Sequence, residues 1–247
     1  MNRPRTTLPP VDLLSTRMVA DVVATATGRQ SRVDPALPVT GGPAGNSRLT
    51  TWTGLVLLPL FVVELVTLLS IRQLISWHIV LGAALVPPAL LKTATTGWRI
   101  LRYYAGQPAY KVAGPPPLLL RLLGPLVVLS TLAVLGSGLA LVALGPDGTH
   151  SVLATFAGQR IDALTVHQAS FLFWGAATGL HVLGRAIPAL RMLSGPEREH
   201  VVHGGWARAF TVVLTLVMGA VVAAFVLGAA HAWTSGWLDF YQFGTDG

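Results

Sequence analysis

Residues 164–187 read LTVHQASFLFWGAATGLHVLGRAI, and residues 75–95 read ISWHIVLGAALVPPALLKTAT. Each stretch reaches the ~20 residues that a helix needs to cross a hydrocarbon core. Each also carries ionisable side chains. His167 and His181 stand fourteen positions apart, and His78 and Lys92 repeat that interval. Fourteen residues of α-helix rise ~21 Å and make nearly four turns. The two side chains of each pair therefore share a face and lie near opposite ends of a span. Two such helices entering from the same side are parallel, which brings His78 level with His167 and Lys92 level with His181.

Three more apolar runs surround these two, at residues 52–71, 118–144 and 210–230. Inside lipid a backbone must satisfy its own polar groups, so all five runs are expected to be helices. Pro59, Pro87, Pro88 and Pro125 are candidate kink positions. The chain of 247 residues is 52% hydrophobic and 11% charged, with a mean hydropathy of +0.62. Average soluble domains carry about 25% charged residues. That composition excludes a disordered chain and argues against a soluble domain. The expected class is an all-α polytopic membrane protein.

A net charge of +7 on a soluble protein would suggest nucleic acid. Here the positions of the charges say otherwise. Fourteen of the 17 basic residues fall in the amino-terminal arm and in the connections after runs two and four. Arg72 and Arg160 fall on the other side, and Lys92 lies within a run. The positive-inside rule then predicts a multi-pass plasma-membrane protein with its amino terminus cytoplasmic and its carboxyl terminus outside. No nucleic-acid partner is expected. Residues 1–48 form an arm expected to be weakly ordered, with a short amphipathic helix at 11–26 and a linker at 35–46. Residues 49–232 form the transmembrane domain, and 233–247 a short outer tail.

The chain has no cysteine. That excludes disulfides, cysteine-ligated iron–sulfur clusters, thiol catalysis and covalent haem attachment. Histidine becomes the informative residue. Intramembrane ionisable groups are functional candidates, and neutral imidazole is a common axial ligand for haem iron. A haem set edge-on between two helices needs one ligand from each, with room beside it. Gly124 and Gly138 in run three are again fourteen apart, one at each level. Gly54 falls at the inner level, and Gly82 lies one turn after His78. Glycine lets a flat macrocycle approach the backbone.

This pattern resembles the membrane di-haem cytochrome b superfamily, and especially the four-helix cytochrome b subunits of bacterial hydrogenases and molybdenum oxidoreductases. The resemblance covers roughly residues 50–190. It implies a four-helix haem-binding bundle with a fifth transmembrane helix appended. It implies an outer haem b on His78 and His167, and an inner one on His181 with Lys92 where a fourth histidine is expected. A neutral amine can ligate iron; the other reading is that Lys92 snorkels to the headgroups. One haem is therefore expected, and two if Lys92 ligates. The implied function is electron relay between membrane quinone and a redox partner subunit such as a molybdenum oxidoreductase, not stand-alone catalysis. The competing expectation is a haem-free scaffold or assembly factor that kept the fold.

Glu64 is a candidate proton acceptor at a quinol site, or a structural partner of Arg72 or His231. His231 near Trp233 and Trp237 reads as an interfacial anchor. Trp174, midway between His167 and His181, either sits between haems or fills the core. His200 and His203 lie with Glu197 and Glu199 in a basic loop, and His150 in an outer loop has no assigned role. Gly145-Pro146-Asp147-Gly148 reads as a turn, and Gly175 with Gly179 as a helix-packing motif.

Overall fold

Gly41 decides where the first long helix begins. In the computed structural model, which describes residues 11–27, 29, 33–194 and 202–234, Gly41 takes a left-handed φ of 79°. Helix α2 follows at once as Gly42–Thr67, with Pro43 in its first turn, where a missing N–H costs nothing. The linker expected at 35–46 thus ends at Gly41, and the helix starts ten residues ahead of the apolar run. Before it, α1 spans Val11–Ala26 as its spacing predicts. It packs against α7 (Ala163–Ser194) and α6 (Leu118–Thr149), so this part of the arm belongs to the helical body. Asp34 ties the intervening chain down by accepting Nη1 and Nη2 of Arg99, each at 2.6 Å.

A 3-10 turn at Leu68–Ser70 ends α2, and Ser70 leaves the helical region with φ −146° and ψ 60°. The chain then folds back as α3 (Ile71–Ala84) and α4 (Val86–Tyr104), both packed on α2. Pro87 and Pro88 do not break this span. They occupy the first turn of α4, the position where proline is tolerated. Leu85 stays helical at φ −69° and ψ −23°, and the bonds Leu85 N–H to Leu81 and Ala89 N–H to Leu85 carry the ladder across, each at 3.0 Å.

After the short α5 (Pro108–Lys111) comes α6, whose interior breaks at Gly145, φ 69° and ψ 171°. Proline follows at 146, so the expected turn becomes a break within a longer helix. A two-stranded hairpin pairs β1 (Ala154–Phe156) with β2 (Gln159–Ile161), Phe156 opposite Gln159. Its two-residue turn puts both Ala157 and Gly158 at positive φ, the conformation that suits the strand twist. Alanine is a poor advertisement for such a turn, so the sequence concealed it.

Three stretches of the described residues are long and apolar enough to cross a membrane: Gly42–Tyr104, Leu118–Thr149 and Gly205–Ala229. The last is α8, which packs on α3 and α4. The first is the folded-back α2 with α3 and α4. Helix α7 is not among them; His167, Gln168, His181 and Arg185 lower its hydropathy. It lies chiefly along α6. Outward-facing Val62, Leu172, Leu183, Val213 and Phe225 are all well exposed, as suits a surface solvated by lipid. The molecule is an all-α membrane protein. Arg3, Arg5, Arg32, Arg198, His200, Glu197, Glu199, Trp237 and the tail from 235 lie outside the described residues.

Side-chain ties confirm which helix ends lie together. At one end Asn46 Nδ2 donates to the Thr95 carbonyl at 2.9 Å, Asp34 holds Arg99, and Arg121 meets the Tyr104 hydroxyl. Buried Arg208 donates there to the carbonyls of Thr40, Val202 and His203 at 3.3, 2.9 and 2.7 Å. At the other end Trp233 Nε1 donates to the Leu141 carbonyl at 3.0 Å. His150 there meets Asp162 at 3.3 Å. The arm, the α4–α6 connection and the start of α8 therefore share one end, as their basic residues suggested.

Asp162 also caps α7. Its Oδ1 accepts the Thr165 backbone N–H and the Thr165 hydroxyl, both at 2.7 Å. These bonds, the backbone one foremost, hold the Asp162 carboxyl below its ordinary 3.8, at about 2, with a smaller contribution from His150. A carboxyl depressed in this way stabilises the fold above its ordinary value and loses that contribution as pH falls through the depressed one. The protection factor of the Thr165 amide, its exchange rate relative to an unfolded chain at the same pH, should hold at mild acidity and fall as pH approaches 2. Equal protection at both ends of that range would contradict the cap.

Candidate functional site

His78 sits midway along α3 and His167 early in α7. Their rings lie 6.3 Å apart between centroids at an interplanar angle of 75°. The hydrogen bonds around each ring fix its tautomer. The Thr67 hydroxyl donates to the Glu64 carbonyl at 2.5 Å, so its proton is spent. The His78 Nδ1 contacts to Thr67 Oγ1, 3.1 Å, and to Glu64 Oε1, 2.8 Å, therefore require an N–H on Nδ1. Opposite, Ser137 Oγ lies 3.0 Å from His167 Nδ1 and 3.1 Å from the Val134 carbonyl; with the hydroxyl proton on that carbonyl, the Oγ accepts from Nδ1. With Nδ1 protonated, the lone pair of each imidazole resides on Nε2, its ligating form.

Two imidazoles so placed suit one metal between them. Metal–nitrogen bonds of about 2 Å on each side, plus the two ring radii, come to about 6 Å between centroids. Hydrogen bonds to the far nitrogen are the outer partners that orient metal-bound histidine. Among the described residues no three His, Asp or Glu side chains gather as a metal cage. A haem asks only for the axial pair, because the porphyrin supplies the remaining nitrogens. Beside this pair, Glu64 Oε2 is buried and has no hydrogen-bond partner among the described residues.

The glycines divide into three kinds. A Cβ on Gly138 would come within 3.2 Å of His167 Cε1, so the ring lies directly against α6. On Gly82 it would meet Glu64 Oε1 at 3.4 Å, and on Gly124 it would meet nothing. On Gly54 it would lie 2.6 Å from Lys92 Nζ, so the space above Gly54 is taken by the amine itself. Gly138→Val should push the His167 ring off its line and weaken retention of any metal there. A titration with haem checks this, and undiminished uptake would disconnect Gly138 from the site.

Lys92 Nζ turns inward and donates to the Thr50 carbonyl at 3.1 Å. His181 and Arg185 lie within electrostatic range of it, but the structure gives no contact between Lys92 and His181. The outer pair meets edge-on and the inner pair is brought only within electrostatic range. Both pairings need α3–α4 and α7 to run in parallel.

Between the levels, Trp174 is 6% exposed and donates through Nε1 to Thr131 Oγ1 at 3.1 Å. It packs on Phe61 at 4.8 Å and Phe171 at 6.1 Å between centroids. Core filling is thus its visible role. The ion-pair partner that the structure gives Glu64 is His78. Thr67 and Ser137 were missed in the sequence. Thr67 stands three residues after Glu64, one helical turn along the same face, and Ser137 immediately precedes Gly138. Compared with known proteins, the chain matches no family model, no curated protein and no solved structure.

Proposed function

We propose that this chain is a b-type cytochrome of the membrane, a four-helix haem-binding bundle with a fifth transmembrane helix. It relays electrons between the quinone pool and a redox partner subunit, such as a molybdenum oxidoreductase. The observation that carries this reading is the His78–His167 pair, 6.3 Å apart between ring centroids, each ring engaged at Nδ1 so that Nε2 is left to ligate. The likeness to the cytochrome b subunits described above points the same way. His78 and His167 would hold one haem b, and Gly138 gives its ligand ring room. His181 with Lys92 are the residues for a second. Bound haem supplies a one-electron iron couple. The protein orients the axial rings, excludes water with an apolar shell and sets the potential.

The basic end would face the cytoplasm by the positive-inside rule, in the plasma membrane. Lipid-dissolved quinone or quinol is the natural diffusing partner for a site held between membrane helices. A haem-free scaffold is the second reading, and Lys92 favours it: its amine already has a structural use on the Thr50 carbonyl.

Pyridine haemochrome analysis against protein concentration, on protein expressed with sufficient haem, decides between them. One haem per chain supports the His78–His167 site, and two require His181 with Lys92 or another ligand as well. None leaves the scaffold.

A further inference from the structure

We propose that Glu64 holds the reduction potential of the His78 metal centre low, by drawing on the Nδ1 proton of its axial imidazole. This rests on the haem reading above and adds to it a named potential-setting residue. Three observations point to it. The Glu64 Oε1 to His78 Nδ1 distance is 2.8 Å, with side-chain exposures of 14% and 22%. The second carboxylate oxygen, Oε2, is buried and has no donor, so no other hydrogen bond draws its charge away. Gly82 closes the far side, where a Cβ would stand 3.4 Å from Oε1, so the carboxylate is clamped between α2 and the ligand helix.

The chemistry follows from the partner's charge. A ring N–H aimed at a carboxylate gives its imidazole part of the character of an imidazolate, which raises ligand basicity. A more basic axial ligand favours the higher oxidation state. The carboxylate's own charge, in a medium of low dielectric, favours the extra positive charge of oxidised iron as well. Reduction adds one electron, supplied by quinol or by the titrant. The Nδ1 proton stays on the ring, and no bond to the protein is made or broken. The opposite ligand lacks this device, since the side-chain partner of His167 Nδ1 is the neutral Ser137 hydroxyl. The two axial rings are thus unequal: one is tuned by an anion and the other only oriented.

Glu64 acts through His78 and touches no substrate, so the readout is a potential and not turnover. The experiment is an optical redox titration of the haem-loaded full chain in detergent. Glu64→Gln keeps the shape and a carbonyl acceptor but removes the charge. It should shift the reduction equilibrium at least tenfold toward the ferrous form, a rise of about 59 mV for a one-electron couple. Glu64→Asp, a carboxylate set back by one methylene, should fall between the wild type and Glu64→Gln. Thr67→Val, which removes only a neutral acceptor, should shift it less than tenfold.

A Glu64→Gln protein that retains its haem at an unchanged or lower potential overturns the inference and leaves the cytochrome reading intact. An equal shift in all three variants would mark simple disturbance of packing and overturns it too. If Glu64→Gln does not fold, the Glu64→Asp shift set against that of Thr67→Val decides. A wild-type chain that binds no haem defeats both readings together.

Discussion

His167→Ala is expected to remove one full haem equivalent per chain, together with the low-spin b-type spectrum of that centre. The reason lies in how the site is built. His167 and His78 approach from two different helices, at 6.3 Å between ring centroids, and no third His, Asp or Glu among the described residues joins them as a cage. Loss of either ring halves the protein's ligand set. Glu64 cannot substitute, because it already lies on the far nitrogen of His78. His78→Ala should give the same spectrum, since it too removes one of the two rings. Free imidazole added to His167→Ala should restore part of the absorbance, since alanine leaves a gap about the size of the lost ring. An unaltered spectrum in His167→Ala would mean that these two histidines do not hold the iron.

The second large effect is expected far from this site. Arg208 is 6% exposed, and its guanidinium donates to the carbonyls of Thr40, Val202 and His203. It lies 5.9 Å from the Trp52 ring centroid. Hydrogen bonds from a charged donor are worth about 1.5–3 kcal/mol each, before the cost of the carbonyls left behind. Arg208→Met should therefore destabilise the protein by about 2–4 kcal/mol, allowing for water that reaches the freed carbonyls. It should also release the segment ahead of α2, read as new proteolytic cleavage near Thr40. Arg208→Lys, a point charge without the planar fork, should recover only part of the loss. Thermal unfolding in detergent gives the first quantity and limited digestion the second. A melting temperature unaffected by Arg208→Met would show the three carbonyl bonds to be dispensable.

The helical class was legible because lipid leaves the backbone so few solutions. Fourteen-residue intervals survive translation into space because an α-helix repeats so regularly, and His78 does meet His167. Three things were not legible, each for a physical reason. The start of α2 depends on a single backbone angle at Gly41, and apolar content carries no trace of it. Helix α7 falls short as an apolar span because the residues that make it interesting are themselves polar. The outer hydrogen bonds of the site come from Thr67 and Ser137, short hydroxyls that look like ordinary helix residues in sequence. Their role appears only once each hydroxyl proton is seen to be spent on a backbone carbonyl. Lys92 shows the limit most clearly. Its position on the ligand face was readable, but its bond to the Thr50 carbonyl depends on a gap over Gly54 in another helix.

The helical path through Leu85, kept although Pro87 and Pro88 donate no bond to it, has a consequence for how this span can vary. Because α3 passes into α4 without a loop, positions 78 and 92 are indexed to each other like marks on one rod. One inserted residue anywhere between them would rotate everything beyond it by ~100° and carry Lys92 off the shared face. Three or four together would nearly restore the angle but slide the inner mark by ~5–6 Å along the axis. The stretch from His78 to Lys92 can therefore exchange side chains freely while its length stays quantised. In that sense Pro87 and Pro88, seated where a helix accepts them, leave the phase of the span untouched.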